Sequence, residues 1–322
     1  MSDDRDDRNA DRRDGGDRSG RSTSPVDSTS PADTAATGGD GAVRTPDAGI
    51  DADVPPWQTG RGSGGLARAS GEVLVTVVLS FVAAFALAIG IGIALFFAGY
   101  EITSIPVLIG SLLGTQAGLA IGGFAYLRWR GESLSAIGVA VPDLRGSLLV
   151  VVGTVAALVI AFTASILVQT FGLPAAENST GAAAQEVPSS LLLLIPVAIF
   201  VIGPCEELLF RGVVQRRLRE VASAPVAIVA ASALFAAAHV VALIGNLAAM
   251  AVTISILFFP ALVFGVLYEY TKNVTVTALV HGLYDAVLFG LLYVALTFAP
   301  ESAQPDGGAA AAAAVDALAL LL

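Results

Sequence analysis

The sequence predicts an all-α, polytopic transmembrane helix bundle of about seven spans, preceded by a disordered polar tail. Two observations carry that expectation. Only 14% of the 322 residues are charged, and the mean hydropathy is +0.76, whereas an ordinary soluble domain carries about 25% charged residues. The charges are also crowded at one end: residues 1–70 hold 13 Asp and 9 Arg. Beyond them, apolar stretches long enough to cross ~30 Å of hydrocarbon come one after another. The net charge of −10 argues against nucleic acid as a partner. The single cysteine, Cys205, excludes an intramolecular disulfide.

Residues 1–70 are rich in Asp, Arg, Gly, Ser, Thr and Pro. They cannot bury enough surface to offset the entropy of ordering, so they read as a disordered cytoplasmic tail. Residues 71–299 form the transmembrane domain. Val73–Tyr100, Ile102–Leu127 and Ser147–Phe171 are the first three spans, and Ser189–Cys205 opens the fourth. Val221–Tyr268 contains no Asp, Glu, Lys or Arg and divides at Gly245-Asn246 into the fifth and sixth. Val274–Thr297, interrupted by Asp285, is the seventh. Residues 300–322 form an acidic, Ala-rich tail. Its end, Ala309–Leu322, is too short to span alone and reads as an interfacial or frayed helix, an eighth span being the less favoured alternative. Asn178-Ser179-Thr180 is a glycosylation sequon on a loop between spans.

Arginines mark alternate loops. Arg61 and Arg68 precede span one, Arg128, Arg130 and Arg145 lie between spans two and three, and Arg216, Arg217 and Arg219 come after span four. Lys272 separates spans six and seven, while the loops around Glu101, 172–188 and Gly245 carry no Lys or Arg. By the positive-inside rule the chain is a multi-pass cell-membrane protein with its N-terminus cytoplasmic and its C-terminus outside. The lipid bilayer is thus its first partner. Nothing in the sequence reads out an oligomeric state.

Within the spans the ionisable residues are few: Glu206, Glu207, Arg211, His239, His281 and Asp285, including both histidines of the protein. Each such group costs about 2.5–3.5 kcal/mol at mid-membrane on insertion scales, so one shared polar site is the economical arrangement. In a helical hairpin turning near Ala222-Ser223, Glu206 and His239 are equidistant from the turn and share a depth. Three pairs lie four residues apart and hence on one helix face: His281 with Asp285, Phe235 with His239, and Glu207 with Arg211. This geometry places the site in the cytoplasmic half of the bundle. Pro204, after Gly203, kinks span four just before the acids.

Glu206-Glu207-Leu208-Leu209-Phe210-Arg211-Gly212, then Phe235-Ala-Ala-Ala-His239, then His281-Gly-Leu-Tyr-Asp285 resemble the three ordered motifs of the CPBP intramembrane proteases. That family includes the type II CAAX prenyl endopeptidases and bacteriocin-immunity-associated membrane proteins. The resemblance covers roughly residues 186–292. It implies an intramembrane endopeptidase acting on membrane-associated peptides, prenylated CAAX-type proteins among them. Glu206 is the candidate general base, since partial burial suits a carboxylate to deprotonating water, and His239 would orient that water. Glu207 with Arg211 reads mainly as a structural pair that can assist at the site, and Phe235 as the packing residue behind His239. His281 and Asp285 resemble the oxyanion-stabilising group. The family often has Asn at the last position, so an ionised Asp285 would instead orient His281 or bind metal.

Glu206, His239, His281 and Asp285 could together hold Zn²⁺ with an open position. There is no His-Glu-x-x-His pair, and a metal-free mechanism is preferred. Cys205 reads as a small packing residue rather than a nucleophile. Two rival functions use the same residues: a proton-coupled transporter, and a non-catalytic scaffold of the immunity type.

Overall fold

The structure, a computed structural model, describes residues 65–298 together with 315, 317, 318, 320 and 321. The reading of residues 1–64 as a disordered tail lies outside these residues. Among the described residues, seven helices are long and apolar enough to cross a membrane, as the hydropathy pattern predicts. Helix α1 is Leu66–Phe97 and α2 is Ile105–Arg130; α3 is Leu144–Thr170 and α4 the short, non-spanning Ser179–Glu186. The spanning helix α5 is Ser190–Arg219, α6 is Ala224–Ala238, α7 is Leu247–Thr271 and α8 is Val274–Phe298. Helix α1 begins at Leu66, so residues 66–70 are helical and the tail boundary at residue 70 is corrected. Arg68 is part of that first turn, where it pairs with Glu72 at 2.9 Å.

The outward surfaces of these helices are apolar. Val75, Leu79 and Val82 on α1, Val152, Val155 and Val159 on α3, and Phe200 on α5 are all exposed. A water-soluble bundle would place polar residues there. The chain is a multi-pass membrane protein.

Glycines set the helix spacing. Gly114, Gly118 and Gly122, four residues apart on α2, face α1 so closely that a Cβ on Gly118 would fall 2.2 Å from the Ala84 Cα. Such small-residue faces let backbones approach where lipid supplies no hydrophobic drive. Gly203 on α5 and Gly282 on α8 do the same at the centre. A Cβ on Gly203 would lie 2.4 Å from the Ala278 carbonyl oxygen, and one on Gly282 would lie 2.6 Å from the Ile199 Cα.

Helix α5 is more than a proline kink. Two π-helical stretches, Ala198–Ile202 and Leu208–Gln215, flank the α-helical Gly203–Glu207. Each π-turn absorbs an extra residue and rotates the side chains beyond it about the helix axis. Pro204 is the second residue of the α-helical segment between them.

Ion pairs gather at one end of the bundle. Arg217 pairs with Glu72 at 2.6 Å and Glu220 at 2.7 Å, Arg130 reaches Glu220 at 2.8 Å, and Arg216 pairs with Glu132. At the opposite end, β1 (Glu177–Asn178) pairs antiparallel with β2 (Leu243–Ile244). Asn178 is buried and its Oδ1 accepts the Thr180 backbone N–H at 2.8 Å. Asn178 therefore caps the turn into α4 instead of standing free on a loop. The C-terminal tail reading needs correction. Leu318, Leu320 and Leu321 are buried among Val168, Leu191, Leu194 and Leu292, whereas an interfacial or frayed helix would leave them exposed.

Candidate active site

One cavity of about 610 Å³ lies inside the bundle, within the range of small-molecule and peptide sites. Its walls include Gln116 of α2, Glu206 and Phe210 of α5, Phe235 and His239 at the end of α6, Phe264 of α7, and His281, Tyr284 and Asp285 of α8. Phe81, Phe85, Ile105, Leu108 and Leu112 supply an apolar flank. Ile102, Thr103, Asn178, Ser179 and Thr180 also line it, so it reaches the end of the bundle remote from the arginine cluster. His239 comes directly after α6, at the end away from Arg216–Arg219, because α6 is short.

The Gly203–Gly282 crossing presses α5 against α8 and brings the His281 motif to the acids of α5. His281 Nδ1 lies 3.1 Å from Glu207 Oε1, and its Nε2 lies 3.4 Å from Asp285 Oδ2 one turn on. Its ring stacks on Phe264, with centroids 5.0 Å apart, and meets the edge of Phe235 at 5.5 Å. Behind it, fully buried Arg211 donates to Glu207 Oε1 at 3.0 Å and to the Ala261 carbonyl at 2.7 Å. The Arg211 guanidinium also sits over the Phe235 and Phe264 rings. Among the described residues lining the cavity, neither Glu207 nor Arg211 appears. This pair stands behind the wall and holds His281 from the rear.

His239 Nδ1 lies 2.9 Å from the Phe235 carbonyl oxygen. A carbonyl only accepts, so Nδ1 carries a proton, and in the neutral form of the ring the lone pair is on Nε2. Phe235 contacts both histidine rings, with its centroid 4.7 Å from that of His239, so one aromatic side chain orients both.

Glu206 is buried, and Oε1 accepts a 2.9 Å hydrogen bond from Gln116 Nε2. Among the described residues its Oε2 has no hydrogen-bond partner, and neither has the Tyr284 hydroxyl. Gln116 and Tyr284 are site residues that the sequence reading missed, because a search for ionisable side chains passes over amides and gives no weight to a phenol. Each carried a signal. Gln116 is a polar residue in mid-span on the face of α2 opposite its glycines, and Tyr284 lies between His281 and Asp285.

Among the described residues, no three of His, Cys, Asp and Glu are grouped so as to hold a metal ion. The donor chemistry shows why. Both His281 nitrogens face carboxylates, and Glu207 Oε1 is shared between His281 and Arg211. As placed, Glu206, His239, His281 and Asp285 do not form such a group.

Residues 188–287 match the family model described as Rce1-like, type II CAAX prenyl endopeptidase. All three motifs lie within that Rce1-like segment, so the resemblance drawn from them holds over it. The match is to a peptidase family. No curated protein and no solved structure matches the chain.

Proposed function

We propose that this protein is an intramembrane endopeptidase that cleaves membrane-associated peptides with a water activated by Glu206. One observation carries the reading. The unpartnered Oε2 of Glu206 and the Nε2 lone pair of His239 are acceptors on residues that line one largely apolar cavity, on the segment that matches a peptidase family. A water donating its two hydrogens to these acceptors points a lone pair at a peptide carbonyl.

In the first step the water oxygen bonds to the carbonyl carbon and its proton passes to Glu206. The negative charge that develops on the carbonyl oxygen needs a donor. Both His281 nitrogens are engaged by carboxylates, so the Tyr284 hydroxyl is the buried donor for it, and Asp285 serves to orient His281. The C–N bond then breaks and the Glu206 proton leaves with the amine. Removing a single oxyanion donor typically costs about 10²–10³ in rate. The apolar flank suits a lipid-like or apolar chain beside the scissile bond, and a prenylated CAAX-type peptide is one such substrate.

The test is cleavage of a library of membrane peptides by purified protein in lipid nanodiscs, with metal content measured on the same samples. Wild type should cleave, Glu206→Gln should not, and Tyr284→Phe should lose about 10²-fold in kcat. Cleavage that survives Glu206→Gln would overturn the proposal.

A further inference from the structure

Helix α2 lies outside the Rce1-like segment, which begins at residue 188, yet it supplies the nearest polar partner of Glu206. The packing of α2 explains how. Its glycines at 114, 118 and 122 bind one face to α1. Gln116 and Gly123, seven residues apart, point the other way. Gly123 packs on Leu208 of α5, where a Cβ would lie 3.2 Å from that side chain. The same face therefore delivers the Gln116 amide to Glu206, two residues before Leu208.

We propose that Gln116 is a positioning residue for catalysis, holding the Glu206 carboxylate by Oε1 so that Oε2 faces the cavity. A carboxylate on a flexible side chain can turn either oxygen, or its whole head, away from a bound water. The 2.9 Å bond from Gln116 Nε2 removes that freedom. Another buried glutamine, Gln215, shows the structural alternative, since its amide donates to the Gly265 backbone carbonyl at 2.9 Å and ties α5 to α7. Gln116 instead directs its donor to a carboxylate at the cavity wall, and its own Oε1 remains an unpartnered acceptor on the same wall. Because the neutral amide leaves the carboxylate its charge, the bond orients Glu206 without neutralising it.

The inference rests on the endopeptidase reading for its kinetics but not for its geometry, so two readouts are needed. Gln116→Met keeps the volume and removes the donor. With a quenched-fluorescence peptide selected from the nanodisc library, kcat should fall about 10- to 100-fold, the range for one hydrogen bond to a charged group. KM should stay within about twofold and the melting temperature near wild type. A kcat within twofold of wild type, or a loss that only tracks the folded fraction, would overturn the proposal. Independently of activity, the Glu206 carboxylate stretch is isolated as the infrared difference between wild type and Glu206→Gln. It should shift in Gln116→Met, and an unshifted band would also overturn the proposal. Failure of wild type to cleave any peptide, with the band shifted, would instead sink the endopeptidase reading and leave the pairing of the two side chains demonstrated.

Discussion

Phe235 and Arg211 show how much of this site is built from residues that do no chemistry. Arg211 is fully buried, neutralises Glu207 and lies over two aromatic rings, so the cation meets a carboxylate, a carbonyl and π faces in place of water. Its replacement is therefore a stability experiment before it is an activity experiment. Arg211→Met should cost about 3–5 kcal/mol, because Glu207 would keep a buried charge with one fewer partner. The double variant Arg211→Met/Glu207→Gln should recover part of that loss. Thermal melting in nanodiscs reads both, and a single variant as stable as wild type would refute the buried-pair account. Glu207 and Arg211 were legible as a pair from their spacing of four. The bond from Glu207 to His281 was not, since it joins helices 74 residues apart in sequence.

At the level of helices, the decisive contact is the crossing of α5 and α8 at Gly203 and Gly282. No side chain separates the backbones there, so His281 is carried up to Glu207 and held at hydrogen-bond distance. The π-turns on either side of Gly203–Glu207 set the direction in which the two acids leave the helix. Gly203→Val should wedge the helices apart, because its Cβ alone would overlap the Ala278 carbonyl. An overpacked position costs typically about 1–3 kcal/mol. The expected outcome is a lowered melting temperature together with loss of cleavage, whereas Gly90→Val, at a glycine with open space around it, should leave both unchanged. A stable, active Gly203→Val would show that the crossing does not assemble the site. A Pro kink was readable near Pro204, but π-turns depend on hydrogen-bond register and leave no residue pattern to read.

For the molecule as a whole, the arginine cluster and the cavity mouth lie at opposite ends of the bundle. If the arginine-bearing end is cytoplasmic, as the positive-inside rule requires, the cavity opens away from the cytoplasm. Cysteine labelling in intact cells tests this in a Cys205→Ala background. A membrane-impermeant maleimide should label Thr103→Cys, an exposed cavity-lining position, and should not label Ser133→Cys at the arginine end. The reverse pattern would invert the topology.

The membrane class, the seven spans and the three motif positions were all open to sequence reading, because hydrophobicity and helical spacing are local properties of the chain. The end of the bundle that the cavity reaches, the burial of Leu318, Leu320 and Leu321 and the recruitment of Gln116 and Tyr284 were settled only by packing. Each depends on which helix faces meet, and that choice is made by backbone approach at glycines and by hydrogen bonds between residues far apart in the chain, neither of which leaves a periodic trace in the order of the amino acids.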